Sequence, residues 1–163
     1  MTKPTTLHTI MVEAVHQCIQ HVDSGGLPFV GVVVQNGVAV SNFGFNRVYE
    51  TGDASAHAEV VAMRDAMSRL KCSNLSGTVL LATGEPCGLC YRFAQNCGID
   101  AIYVATDRDE AASWGFDYRS SYALFGITDD MRAQVYRALP VPDRYEPFAR
   151  YLEISGGHTS DLE

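Results

Sequence analysis

The chain has no run of eighteen or more apolar residues, so nothing in it reads as a membrane span. It has no basic run either. Clustered Lys and Arg are what bind phosphate backbones; here 12 of them stand against 19 Asp and Glu, for a net charge of −7. Such a field repels a polyanion, and a nucleic-acid polymer is not an expected partner. The opening MTKPTTLHTI lacks the apolar core and cleavage site of a signal peptide, which predicts a cytoplasmic location. The five cysteines are odd in number and come with no export signal, so they make a poor disulfide framework. Metal binding or burial is the expectation for them. There is no internal repeat and no low-complexity linker. With 163 residues, 47% apolar and 19% charged, the sequence predicts a single domain over 1–163 with a real core.

Helix and strand patterns alternate along the chain. Leu7, Ile10, Met11, Ala14, Val15, Cys18, Ile19 and Val22 form one apolar helix stripe, with Thr5 or Thr6 able to cap its start and Gly25-Gly26 to end it. Two β-rich runs, 29–34 and 38–45, flank Asn36-Gly37, a strong hairpin signal. A helix follows, with Asp53 or Ser55 as cap and Ala62, Met63, Ala66, Met67 and Leu70 as its buried face. An apolar strand (78–83) leads to a second helix. Pro86 suits that helix's first turn, Leu89, Phe93 and Cys97 its spacing, and Gly98 its C-terminal cap. The strand 101–106 closes the unit, and the crossover makes these two strands parallel. Beyond residue 107 the pattern predicts an ordered arm, then short helices over 128–138 and 143–152. A polar tail from 155 ends the chain.

Two short stretches carry chemistry. His57-Ala58-Glu59 opens the first of these helices, and 26 residues later Pro86-Cys87-Gly88-Leu89-Cys90 opens the second. Cys87 and Cys90, at i and i+3, put both sulfurs on one side, in a first turn whose dipole favours thiolate. If the helix starts converge, one imidazole and two thiolates meet. Three protein ligands leave the fourth tetrahedral position to water, the mark of a catalytic zinc. Zinc brings that water to roughly neutral pKa, and Glu59 stands near enough to take its proton and return it to a leaving group. Each half has a blander reading. Cys87 and Cys90 alone can be a redox pair, or half of a structural zinc site completed by Cys97 or Cys72. His57 and Glu59 alone can be a solvated helix end. Only the two halves together, each opening a helix, are specific.

His-x-Glu followed by Pro-Cys-x-x-Cys resembles the signature of the zinc-dependent cytidine-deaminase-like superfamily. The segments GGLPFVGVVVQNG and GFNRVYETGDASAHAEV are similar to its nucleobase and tRNA-adenosine deaminase branch, and the likeness covers about residues 7–125 by pattern. Val30-Gly31 replaces the branch's usual Gly-Ala, and Leu89 its usual Met; neither touches the metal chemistry. The resemblance implies an α/β fold, a three-layer α/β/α sandwich with a mixed central sheet. It implies zinc on His57, Cys87 and Cys90, Glu59 as general acid/base, and hydrolytic deamination by zinc-bound hydroxide. It also implies a homodimer.

For substrate the resemblance points to contacts from Ala58 and from the backbone around Glu85, Pro86 and Cys87. Asn46 matches a base-binding position, with a turn residue as the alternative. Phe29 can wall the base or sit in the core. The arm SWGFDYRSSY is similar to guanine- and guanosine-deaminating members, in which an Asp moves protons; Asp117 matches it, a solvated loop Asp being the alternative. Trp114, Phe116 and Tyr118 can close the pocket or serve an interface. YEPFARYLE (145–153), with Glu146 and Tyr151, matches a C-terminal segment that caps the site, often across subunits. The expected substrate is therefore a small heterocyclic amine, an amino-purine such as guanine or guanosine. Cytosine, cytidine or tRNA adenosine deamination is the alternative, as is an idle deaminase-like binding protein.

Overall fold

A computed structural model describes residues 3–157, with side chains from Leu7 onward; of the tail predicted from 155, Ser155 still belongs to the last helix and residues 158–163 lie outside the described residues. Helix α1 (Lys3–Asp23) buries Leu7, Met11, Ala14, Val15, Cys18 and Val22 of the expected stripe. The helix is already under way at Lys3, so Thr5 and Thr6 fall inside it and not at its start.

Strand β1 (Val30–Gln35) turns through Asn36 (φ 52) and Gly37 (φ 79) into β2 (Val38–Ala39). Two consecutive left-handed residues are what a two-residue hairpin turn requires. The expected strand 38–45 is broken. Ser41 Oγ accepts the Val33 N–H at 2.9 Å in place of a strand carbonyl, and the Asn42 N–H donates to Asp65 Oδ2 at 2.7 Å. The chain rejoins β1 as β3 (Gly44–Phe45), with Val30 opposite Phe45.

Then follow α2 (Val48–Thr51), α3 (Ala58–Leu70), β4 (Val79–Gly84), α4 (Gly88–Cys97) and β5 (Ala101–Thr106). The chain ends with α5 (Arg108–Ser113), α6 (Ser120–Leu124), α7 (Asp129–Val135), β6 (Tyr136–Ala138) and α8 (Glu146–Ser155). Sheet order is β2-β1-β4-β5-β6 with β3 also on β1; β1 runs antiparallel to β4, while β4, β5 and β6 are parallel. The predicted β4–α4–β5 crossover is present.

The pleat of β1 sorts two cores, since alternate side chains face opposite ways. Val30, Val32 and Val34 join the α1 stripe on one side. Val33 joins Met63 and Ala66 of α3 and Cys90, Tyr91 and Ala94 of α4 on the other, which makes the three layers. The buried face of α4 is thus Cys90, Tyr91, Ala94 and Cys97, while Leu89 and Phe93 flank it. Two expectations are corrected. The helix read over 128–138 stops at Val135, and Tyr136, Arg137 and Ala138 pair with Ile102, Tyr103 and Val104 of β5, whose edge is otherwise open. The last helix starts after 143 because Asp143 is left-handed (φ 65). That helix, α8, folds back on α1: Phe148 is buried and Arg150 Nη1 lies 2.8 Å from Asp23 Oδ2.

Gly44 lets the sheet and α3 touch. A Cβ there would stand 2.4 Å from the Ala58 carbonyl oxygen and 2.7 Å from the Ala62 nitrogen, both backbone. Gly44→Ala is expected to cost about 1–3 kcal/mol as overpacking. That should appear in a melting scan as a fall of about 2–12 °C; an unchanged melting temperature would show that α3 shifts freely.

Candidate active site

The reactive side chains stand at helix ends, one residue earlier than expected. His57 is the N-cap of α3 (φ −71, ψ 157) and Cys87 the N-cap of α4 (φ −74, ψ 177). Neither side chain caps its own helix, and neither Asp53 nor Ser55 caps α3. Asp53 Oδ1 instead accepts from the Ser55 N–H (2.9 Å) and hydroxyl (2.6 Å), tying the turn before the helix. An N-cap side chain in extended backbone projects off the helix end, and here both project to one point.

His57 Nδ1 lies 3.4 Å from Cys87 Sγ and 3.4 Å from Cys90 Sγ, and the two sulfurs are 3.9 Å apart. All three residues are buried. A tetrahedral zinc with Zn–S near 2.3 Å and Zn–N near 2.05 Å sets S···S at about 3.8 Å and S···N at about 3.6 Å. The donor triangle therefore fits zinc. The Cys87 thiol is lowered to about 5, first by its hydrogen bond with the Cys90 thiol and then by His57, against the cost of burial. The five cysteines form no disulfide; Cys18, Cys87, Cys90 and Cys97 are buried, as expected, whereas Cys72 is exposed and stands apart from the metal triangle.

Glu59 is 1% exposed, and its Oε1 lies 3.4 Å from Cys90 Sγ. Its backbone is pressed against the sheet. A Cβ on Gly31 would lie 3.1 Å from Glu59 Cα, so the glycine at this departure from the family pattern admits the helix start. The structure thus brings His57, Glu59, Cys87 and Cys90 together, with buried Ala58 between the first two.

The segment before Cys87 is locked by five residues. The Glu85 carboxylate, with a side-chain exposure of 0%, receives Arg132 Nε (2.5 Å) and Nη2 (3.0 Å), the Tyr91 hydroxyl (2.7 Å) and the Arg108 N–H (2.8 Å). The Glu85 carbonyl accepts from the Tyr118 hydroxyl and the Pro86 carbonyl from the Tyr122 hydroxyl, each at 2.5 Å. Pro86 precedes α4 and does not enter its first turn. Tyr91, Tyr122 and Arg132 escaped sequence reasoning. The available signal was the carboxylate itself, placed directly after the apolar run TVLLATG.

The remaining candidates divide. Phe29 is core, 1% exposed, its ring edge-on to Phe116, Tyr118 and Phe148. Asn46 Oδ1 accepts from the Val48 N–H at 3.1 Å, while its buried Nδ2 has no partner. Asn46 and Tyr151 line one cleft. Tyr151 also packs its ring 5.3 Å from that of Phe116. Trp114 closes α5 and packs on Tyr145. Asp117 is half exposed and held by Arg119 (2.9 and 2.8 Å), which lowers its carboxyl to about 2. Glu146 pairs with Arg150 at 2.9 Å.

A mixed sheet whose crossover ends present one histidine, two thiols and a buried carboxylate defines a zinc-dependent hydrolytic deaminase. Residues 4–106 match the family described as the cytidine and deoxycytidylate deaminase zinc-binding region, and the chain belongs to that family. It is 29% identical over 148 residues to guanine deaminase of Bacillus subtilis (strain 168), spanning 90% of this chain and 94% of that one. The X-ray structure of guanine deaminase from Bacillus subtilis superposes with TM-score 0.66 at 27% identity, covering 95% of this chain and 96% of the other. A structure solved with 2,6-diaminopurine, 22% identical, superposes with TM-score 0.75 over 100% of this chain and 87% of that one. Among the described residues no helix is long and apolar enough to cross a membrane.

Proposed function

We propose that the protein hydrolyses the exocyclic amine of an amino-purine such as guanine or guanosine, releasing ammonia and leaving a carbonyl. The observation that carries the chemistry is the buried carboxylate of Glu59 beside the three-donor triangle. Zinc held by His57, Cys87 and Cys90 would supply the Lewis acidity that brings water to a pKa of about 7. Glu59 takes the water's proton at its carboxylate, hands it to the ring nitrogen, and delivers the proton that lets the amine leave as ammonia. Asn46 Nδ2, buried without a partner, is the donor we assign to the base. Asp117 is assigned as the second proton acceptor from the likeness of its arm to that of guanine-deaminating members; in that role it has to leave Arg119, whose pairing at 2.8 Å lowers its basicity. Alignment with guanine deaminase over nearly its whole length supports the purine over cytosine. The net charge of −7 weighs against a tRNA substrate.

We also propose a cytoplasmic homodimer. Leu124 and Ile154, apolar and 78% and 56% exposed, leave surface for a second copy.

The test is ammonia release from a panel of guanine, guanosine, adenosine, cytosine and cytidine, run on protein assayed for metal. About one zinc per chain is expected, with turnover of the guanine pair above the others. Consumption of cytidine with the guanine pair left intact would overturn the purine reading.

A further inference from the structure

We infer that Ser121 is a positioning residue for the turn that carries the two thiol ligands, and that it caps α4 because Cys87 cannot. This rests on the proposed reading, which gives the metal to His57, Cys87 and Cys90.

A helix leaves its first N–H groups without partners inside the helix, and the side chain of the residue before it normally serves one of them. Asp107 does so for α5 and Thr128 for α7. Cys87 holds the same place in α4 and makes no such bond; its sulfur lies with His57 and Cys90 instead. A side chain given to a metal is lost to its helix. The cap comes from elsewhere: the Gly88 N–H donates to Ser121 Oγ at 2.8 Å, across 33 residues of sequence.

That hydroxyl is fixed in direction. It gives its one hydrogen to the Tyr118 carbonyl at 2.6 Å, which leaves its lone pairs for Gly88. The bonds then close a ring. The Tyr118 hydroxyl donates to the Glu85 carbonyl, the Tyr118 carbonyl accepts from Ser121, and Ser121 accepts from Gly88. Pro86 and Cys87 are the residues enclosed, and the Tyr122 hydroxyl holds the Pro86 carbonyl from the same arm. Tyr118 and Tyr122 grip the chain before Cys87. Ser121 grips Gly88, which stands between the two thiols in sequence.

The fit requires glycine at 88. A Cβ there would lie 2.2 Å from the Ser121 carbonyl oxygen and 2.6 Å from its carbon, backbone atoms that cannot turn aside. The metal needs only that Cys87 and Cys90 be three apart; it is α6 that needs the glycine. The other end of α6 is tied to α4 as well. Arg92 Nε and Nη2 donate to the Phe125 carbonyl at 3.1 and 2.9 Å, and Nη2 to the Gly126 carbonyl at 3.1 Å. The start of α4 therefore cannot shift without moving Ser121.

The test is Ser121→Ala, which removes the acceptor and leaves both tyrosines in place. On zinc-loaded protein, competition with a chelator is expected to show an affinity about 10–100-fold lower, the usual worth of a group that orients ligands. Cobalt bound in place of zinc should show altered sulfur-to-metal absorption, because the two thiolates no longer keep their spacing. Ser121→Thr keeps the hydroxyl and should bind both metals as wild type does. Unchanged affinity and absorption in Ser121→Ala would overturn the inference, even with a lower melting temperature, since that is what an ordinary helix cap would give. A Ser121→Thr protein as weak as Ser121→Ala would overturn it too, because the hydroxyl would then not be the cause. Wild type that binds no zinc would overturn the metal reading itself, an outcome distinct from zinc bound equally well by wild type and Ser121→Ala.

Discussion

Glu59→Gln is expected to keep its zinc and lose turnover by a factor of about 100 to 10,000, the usual worth of a positioned proton carrier. The three donors that fit the metal are His57, Cys87 and Cys90, and Glu59 is not one of them. Its carboxylate reaches the same spot from the next residue but one, with Oε1 3.4 Å from Cys90 Sγ. Gln keeps the volume and most of the hydrogen bonding of Glu in this 1%-exposed site, so packing should survive. What Gln lacks is the ability to take a proton from water and give it to a nitrogen. The measurement pairs zinc content per chain with ammonia release. Zinc present with activity lost is the expected pair of results. Full activity would show that another group carries the proton. Loss of zinc together with activity would show that Glu59 supports the metal and would remove the argument for a shuttle.

Much of this site was legible because its signal is local. His57 and Glu59 are two apart, Cys87 and Cys90 three apart, and each pair opens a helix whose apolar face can be counted. The strands around them were legible for the same reason: TVLLAT and AIYVAT are apolar runs bounded by turns, and the observed β4 and β5 lie within one residue of them. What escaped the sequence is held by distant partners. β6 is three residues long and half exposed, so it carries no alternation to read; only the open edge of β5 makes it a strand. The break after β2 depends on Ser41 meeting Val33 and Asn42 meeting Asp65, neither visible from spacing. Phe29 shows the limit for side chains. An aromatic at a strand start fits either a pocket wall or a core, and its three edge-on aromatic neighbours, far apart in sequence, place it in the core. Arg132 is the clearest case, since nothing in its own neighbourhood announces a partner 47 residues earlier.

Arg132→Leu is therefore expected to be the most destabilising of the changes considered. Glu85 has a side-chain exposure of 0%, and its carboxylate is met by both arms of the Arg132 guanidinium. Removing one partner of a buried pair leaves the other charge uncompensated, at a cost of about 3–5 kcal/mol. Arg132 is itself 21% exposed, and Tyr91 and the Arg108 N–H still serve Glu85, so the lower end of that range applies. A melting scan should fall by about 6–12 °C. Glu85→Gln should cost less, because an unpaired Arg132 can turn towards solvent while a stranded carboxylate at Glu85 cannot. In the double variant the two losses should fall well short of adding, the sign of direct coupling. The effect should also reach the metal. Glu85 is followed at once by Pro86 and Cys87, whose position depends on the Tyr118 and Tyr122 hydroxyls finding the Glu85 and Pro86 carbonyls where they now lie. Partners that orient metal ligands are worth about 10–100-fold in affinity, and a competition assay with a zinc chelator should show a loss of that size in Arg132→Leu. A stability loss below about 1 kcal/mol would put the pair with ordinary surface ion pairs, and the turn that carries Cys87 would then have to be held by Tyr118, Ser121 and Tyr122 alone.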